Sequence, residues 1–196
     1  MELKGVVWCC ILLQSLFFFL NIHIYKISSY TQRRSRAFEI EETVSYYREI
    51  LANNPADKGT LNKLLGMLNS YEPKEALVAA LVLVEQRFIS ENERLDAVRV
   101  IKKHHQTFLN KPLRLKGMID LHIHSFYSDA VATPSEIVVG AWLEGMEAVS
   151  LVNHNTFNGI LEAMKAGEIL GIKVVPGIEI DVEEKSLGIE NMHIVI

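Results

Sequence analysis

Two histidines one residue apart, His122 and His124, close the apolar run that starts at Ile119, and Asp129 follows within a few residues. Side chains two apart on a strand share a face, so these imidazoles point the same way. Their positions lie roughly 6–7 Å apart along the strand, a gap that two rings can close around one ion. His154, Glu179 and His193 come later, each beside an apolar run of its own. Imidazole and carboxylate are the usual protein ligands of zinc, manganese and iron. One histidine alone reads as a hydrogen-bonded core residue or a helix cap. Six such groups brought to one rim read as a site for divalent cations.

The surrounding pattern supplies the elements that would position them. Met118–Ile123 reads as a strand. Thr133-Pro134-Ser135-Glu136 combines a capping box with proline in the first turn, and predicts a helix to about Glu144, ended by Gly145. Glu147–Val152 reads as the next strand, and Asn158–Leu170 as a helix closed by Gly171. Ile172–Val175, Ile178–Val182 and Asn191–Ile196 read as further strands. Alternation of strand and helix implies parallel strands joined by crossover helices. Such folds carry their functional residues at the carboxyl ends of the strands, where His122, His124, His154 and Glu179 are expected.

Upstream, residues 37–112 have helical periodicity. Ile40, Val44, Tyr47 and Leu51 share one face, and Asn53-Asn54-Pro55 breaks that helix. Leu61, Leu64, Leu65 and Leu68 mark a second, and Pro73 opens a third with Leu77, Leu81 and Val84. The Ser90–Glu93 capping box opens a fourth with Leu95, Val98, Ile101 and His105. His104-His105 beside Lys102-Lys103 reads as a solvated helix end whose cations suit the helix dipole. The Y-Y-R-E-I-L-A-N-N-P-A-D stretch resembles part of a tetratricopeptide repeat, without a second copy at a matching period. The region reads as a small helical spacer packed beside the strand–helix region.

Gly5–Tyr25 contains no charged residue and, as a helix, would reach roughly 31 Å, the thickness of a hydrocarbon core. It is expected to anchor the chain as a single pass over residues 1–26. Lys26, Arg33, Arg34 and Arg36 lie just beyond it, so the positive-inside rule places the rest in the cytoplasm. A net charge of -4 argues against a general nucleic-acid binder. Cys9 and Cys10 are the sole cysteines and are adjacent, which disfavours a disulfide between them.

The stretch D-L-H-I-H-S-F-Y-S-D, residues 120–129, resembles the first motif of the PHP domain, the polymerase and histidinol phosphatase superfamily. V-N-H-N-T, P-G-I-E-I and N-M-H-I-V-I resemble its later motifs in the same order, so the likeness covers Met118–Ile196. It implies an α/β fold, the N-terminal portion of a (β/α)7 barrel, preceded here by the transmembrane helix and the small all-α region. It also implies phosphoester hydrolysis with up to three divalent metals, manganese, zinc or iron. By position, His122 and His124 would bind the first metal. Glu179 would bridge to a second, shared with His193, and Asp129 and His154 would serve a third.

Clustered cations lower the pKa of a bound water and neutralise phosphoryl oxygens, so no protein nucleophile is required. Ser125 and Ser128 are then expected to shape the loop. The substrate would be a phosphorylated small molecule or nucleotide. Two departures bear on activity. The superfamily pattern has Asp before, and often after, the second-motif histidine, where this chain has Asn153 and Asn155. Loss of an orienting carboxylate could weaken a metal by about 10–100-fold. The chain also ends at Ile196 in an apolar strand, without the distal Asp-x-His, so a truncated domain is expected. Two other readings compete: a membrane-tethered helical interaction protein with a degenerate PHP remnant, and an amidohydrolase-type metal hydrolase sharing His-x-His.

Overall fold

The structure, a computed structural model, describes residues 36–108, 117–184 and 189–196. The expected membrane segment, its cysteine pair and the basic residues through Arg34 lie outside the described residues, as do 109–112 at the end of the helical region. No helix among the described residues is long and apolar enough to cross a membrane. The chain divides into two compact units, Met1–Glu41 and Glu42–Ile196. Of the first, only residues 36–41 are described, and they are helical.

The second unit joins a helical layer to an α/β layer. Residues 42–53 are helical (α1), followed by α2 (Lys58–Leu68), α3 (Pro73–Leu83) and α4 (Glu91–Phe108). Local chemistry sets their starts. Asp57 caps α2 by accepting from the Thr60 amide at 3.0 Å, and proline sits in the first turn of α3. At α4 the Ser90 amide donates to Glu93 Oε2 at 2.6 Å, and the Glu93 amide donates to Ser90 Oγ at 3.2 Å. This is the capping box read from the sequence. Helix α3 lies between α2 and α4, with Ala76–Ala80, Val82 and Leu83 all buried. Each such Val or Leu contributes about 1.5–3 kcal/mol by leaving water.

The end of α4 corrects one expectation. His105 is fully buried, edge-on to Trp142 with ring centroids 4.5 Å apart, and His104 is half-buried. The four-residue step from Ile101 carries His105 onto the same inward stripe as Leu95 and Val98. The stripe therefore outweighs the pull of the adjacent lysines toward solvent.

The α/β layer runs β1 (Ile119–Ile123), α5 (Pro134–Leu143), β2 (Ala148–Leu151), α6 (Ile160–Leu170), β3 (Lys173–Pro176), β4 (Glu179–Glu184) and β5 (Ile189–Val195). Strands β1, β2 and β3 form a parallel sheet in that order. Central β2 is buried along its whole length, as a strand covered on both faces must be. Thr133 caps α5 with the full capping box that the sequence predicts. Gly171 closes α6 at φ +83°, a left-handed conformation that costs glycine nothing.

The last two strands depart from the parallel pattern. β4 and β5 pair antiparallel in a separate two-stranded ladder, with Asp181 opposite His193. Glu179 opens β4 rather than ending a strand, and His193 lies inside β5. The two sheets still meet. Asn155 N donates to Glu179 O at 2.8 Å, and Glu179 N donates to Asn153 O at 3.2 Å. These bonds place His154 and Glu179 side by side, beyond the carboxyl ends of β2 and β3.

Candidate metal centre

Strand β1 delivers His122, the loop after it delivers His124 and Asp129, and the turn after β2 delivers His154. Glu179 and His193 come from the β4–β5 ladder. The structure brings all six side chains into three overlapping groups: His122, His124 and Glu179; His124, Asp129 and His154; His154, Glu179 and His193. Within each group one ligand atom per residue lies within 4.8 Å of the others. Glu179 is buried and central, while His122, Asp129 and His193 are exposed and His124 and His154 half-buried.

The distances define what this donor set can hold. His122 Nε2 and His124 Nε2 each lie 2.8 Å from Glu179 Oε2, and 3.1 Å from one another. His193 Nδ1 lies 2.8 Å from the other oxygen, Oε1. The carboxylate therefore faces two histidine groups with different oxygens, the geometry of a bridge.

Hydrogen bonding alone does not satisfy the first group. His124 Nδ1 sits 2.8 Å from Asp129 Oδ1. A carboxylate accepts, so Nδ1 carries the proton and the neutral ring presents a lone pair at Nε2. That lone pair meets Glu179 Oε2, another acceptor. Protonating both Nε2 atoms instead would set two N–H groups against each other at 3.1 Å. A cation among the three atoms would resolve the conflict, with the ligand atoms spreading a few tenths of an ångström from their 2.8–3.1 Å separations toward the roughly 3.3–3.6 Å edge of a tetrahedral site with bonds of about 2.0–2.2 Å. The residues present fit a divalent metal.

The electrostatics agree. The hydrogen bond with His124 holds the Asp129 carboxyl below its usual range, against a smaller opposing effect of burial. Burial pushes Glu179 upward, but the hydrogen bond to His122 and the charges of His154 and His122 outweigh it, and Glu179 is held low. His154 is raised, first by its hydrogen bond to Asp181. Ionised carboxylates are ready ligands, whereas a histidine must shed its proton before a metal can bind.

Two side chains play parts that the sequence pattern did not suggest. Asp181 is the first. Its Oδ1 lies 2.8 Å from His154 Nδ1, and its Oδ2 accepts from Asn155 Nδ2 at 2.7 Å. The Asp181 amide donates to Asn155 Oδ1 at 3.1 Å, which closes a two-point clasp. Asn155 adopts φ +53°, a left-handed conformation that asparagine tolerates better than most residues. Asp181 orients His154 and fixes its tautomer, leaving Nε2 free for a ligand. A sign was available: Asp181 lies two residues from Glu179 on one strand, hence on the same face.

Asn153, read from the sequence as a place where an orienting carboxylate is lost, ties down the first loop. Its Oδ1 accepts from the Ser125 amide at 2.7 Å and from Ser128 Oγ at 3.1 Å. Its Nδ2 donates to Ser125 Oγ at 2.9 Å and to Asn158 O at 3.0 Å. An aspartate there could not donate to that carbonyl. Ser125 and Ser128 serve the loop, as their expected role requires.

Compared with known proteins, residues 120–196 match the PHP domain. The chain is 41% identical over 76 residues to a 5'-3' exoribonuclease of Haemophilus influenzae, covering 39% of this chain and 27% of that protein. It is 37% identical over 75 residues to a phosphoribosyl 1,2-cyclic phosphate 1,2-diphosphodiesterase of Eggerthella lenta, covering 38% and 28%. To a 3',5'-nucleoside bisphosphate phosphatase of Chromobacterium violaceum it is 36% identical over 77 residues, covering 39% and 26%. The chain thus spans about a quarter of the length of each of these relatives.

Proposed function

We propose that the α/β layer is the N-terminal portion of a PHP-type (β/α)7 barrel and carries a metal-dependent phosphoesterase site. The observation that carries this reading is the position of Glu179, with one oxygen on His122 and His124 and the other on His193. The names of the three relatives support the reaction class, since each denotes cleavage of a phosphate ester. The substrate is then a phosphorylated small molecule or nucleotide.

When bound, manganese, zinc or iron would activate water and offset the charge that builds on the phosphoryl oxygens. This chain's residues do the positioning. His122, His124 and Glu179 would hold one ion, and His154, Glu179 and His193 a second; the group of His124, Asp129 and His154 shares its imidazoles with these and would be an alternative place for an ion rather than an additional one. Asp129 holds the His124 proton at Nδ1, and Asp181 holds that of His154, so both Nε2 atoms face the centre as ligands. Asn153 keeps the loop of Ser125–Ser128 against β2, which sets where His124 and Asp129 stand.

The charge-free run Gly5–Tyr25 and the cations after it support a membrane anchor, with residues beyond 26 on the cytoplasmic side. Carbonate-resistant sedimentation with membranes tests that part. The enzymatic part is tested with the manganese-loaded chain and simple phosphate mono- and diesters. Hydrolysis that falls to background in His124→Ala is the expected result. A chain that binds metal yet cleaves none of them would contradict it.

A further inference from the structure

The segment from His124 to Ser135 carries two of the candidate ligands, and the helical layer grips it directly at two places and at a third through Glu162 of α6. The Arg94 guanidinium on α4 lies over the Phe126 ring, 5.7 Å from its centroid. Phe126 stacks in turn on Tyr127 at 4.2 Å. Thr133 Oγ1 donates to Val84 O at 2.6 Å. Ser135 donates from its amide and hydroxyl to Glu162 Oε1, at 3.2 and 2.7 Å.

Arg94 stands behind two of these contacts. It is 2% exposed, and its fork meets both Glu162 oxygens at 2.8 and 2.7 Å. Its remaining nitrogen donates to the carbonyls of Gln86 and Ile89, at 3.1 and 2.7 Å. A guanidinium bound on so many sides is fixed in position and plane, as no lysine or apolar side chain would be. Buried ion pairs often contribute little beyond what apolar residues of equal volume would. What this pair adds is direction: a rigid cationic plate under Phe126, two residues from His124 and three from Asp129.

We propose that Arg94 is a positioning residue for the candidate metal centre, and that the helical layer is the seat of the metal-bearing loop. This rests on the reading of the centre as metal-binding. Arg94 holds Phe126 directly and Ser135 through Glu162, and the loop between them keeps Asp129 against His124. Without the plate the loop loses its floor, and the ligands must be ordered when the metal binds.

The test is a manganese titration of the full, chelator-stripped chain, with free ion read by electron paramagnetic resonance and folding read by circular dichroism. Arg94→Met/Glu162→Gln removes both charges, yet leaves an amide oxygen to accept from Ser135. This double variant is expected to stay folded and to bind manganese about ten-fold more weakly, the size of effect that loss of a ligand-orienting partner produces. Phe126→Leu keeps the apolar bulk without the ring and is expected to weaken binding in the same direction by less. If the double variant fails to fold, Phe126→Leu decides. Folded variants with wild-type affinity, including any whose thermal midpoint alone has moved, overturn the role of Arg94. A wild-type chain that takes up no manganese overturns the metal reading and this proposal with it.

Discussion

Glu162 and Glu179 are both buried, at 1% and 3% exposure, and they are buried for different ends. Glu162 lies between the helical and α/β layers, where the Arg94 fork and Ser135 satisfy it fully. Glu179 lies at the sheet ends among four histidines, two of which bring their Nε2 atoms, 3.1 Å apart, onto one of its oxygens. One glutamate completes a closed set of partners and holds layers together. The other belongs to the set of imidazoles and carboxylates that we propose as the cation site. Burial does not separate the two; the match between donors and acceptors does.

The largest expected effect comes from breaking the closed set. Glu162→Ala strands a buried guanidinium and should lower unfolding free energy by about 3–5 kcal/mol in urea denaturation. The histidines sharpen the same contrast. His105 packs edge-on to Trp142, so His105→Ala should cost on the order of 2–4 kcal/mol in stability and leave metal uptake intact. His124→Ala should do the reverse. A metal-binding loss in His105→Ala without loss of stability would erase the distinction.

Asp181→Asn probes the edge of the proposed cation site. It keeps shape and loses the carboxylate that orients His154, so manganese affinity should fall about 10–100-fold, or roughly 1.4–2.7 kcal/mol. The same variant gives the subtlest test, by pH. His154 is raised from 6.5, chiefly by Asp181, whereas burial and Lys103 lower His104. A raised histidine stabilises the metal-free fold below its ordinary pKa, and that support fades as pH climbs through the raised value. The lowered Asp181 carboxyl acts oppositely: its support is present above the ordinary carboxylate range and fades as pH falls through the lowered value. The pair is therefore strongest between those limits. Nuclear magnetic resonance of the chelator-stripped chain should find His154 titrating above 6.5 and His104 below it. Asp181→Asn should return His154 toward 6.5 and leave His104 in place.

How legible a feature is in the sequence depends on the range of its signal. Capping boxes at Ser90 and Thr133, the glycine after α6 and the His-x-His at a strand end act over a few residues, so they were legible. The gathering of Asp129, His154, Glu179 and His193 with that pair was reachable through strand–helix order and a family resemblance. Arg94 and Glu162 stand 68 residues apart, and each alone looks like an ordinary charge on a solvated helix face. Asn153 looks like a worn-down aspartate in the sequence, because the carbonyl of Asn158 that needs its amide is set by a turn. The antiparallel turn-back of β4 and β5 is hidden for a similar reason: an apolar run announces a strand but not its partner's direction.

In the proposed centre Glu179 joins two histidine groups around bound cations. Elemental analysis after dialysis against manganese, on the wild-type chain and on Glu179→Gln, tests it most directly. The expected result is more than one bound ion per chain in the wild type, and loss of that binding in a variant that keeps its fold. Equal manganese in the two proteins, or none in either, would contradict it.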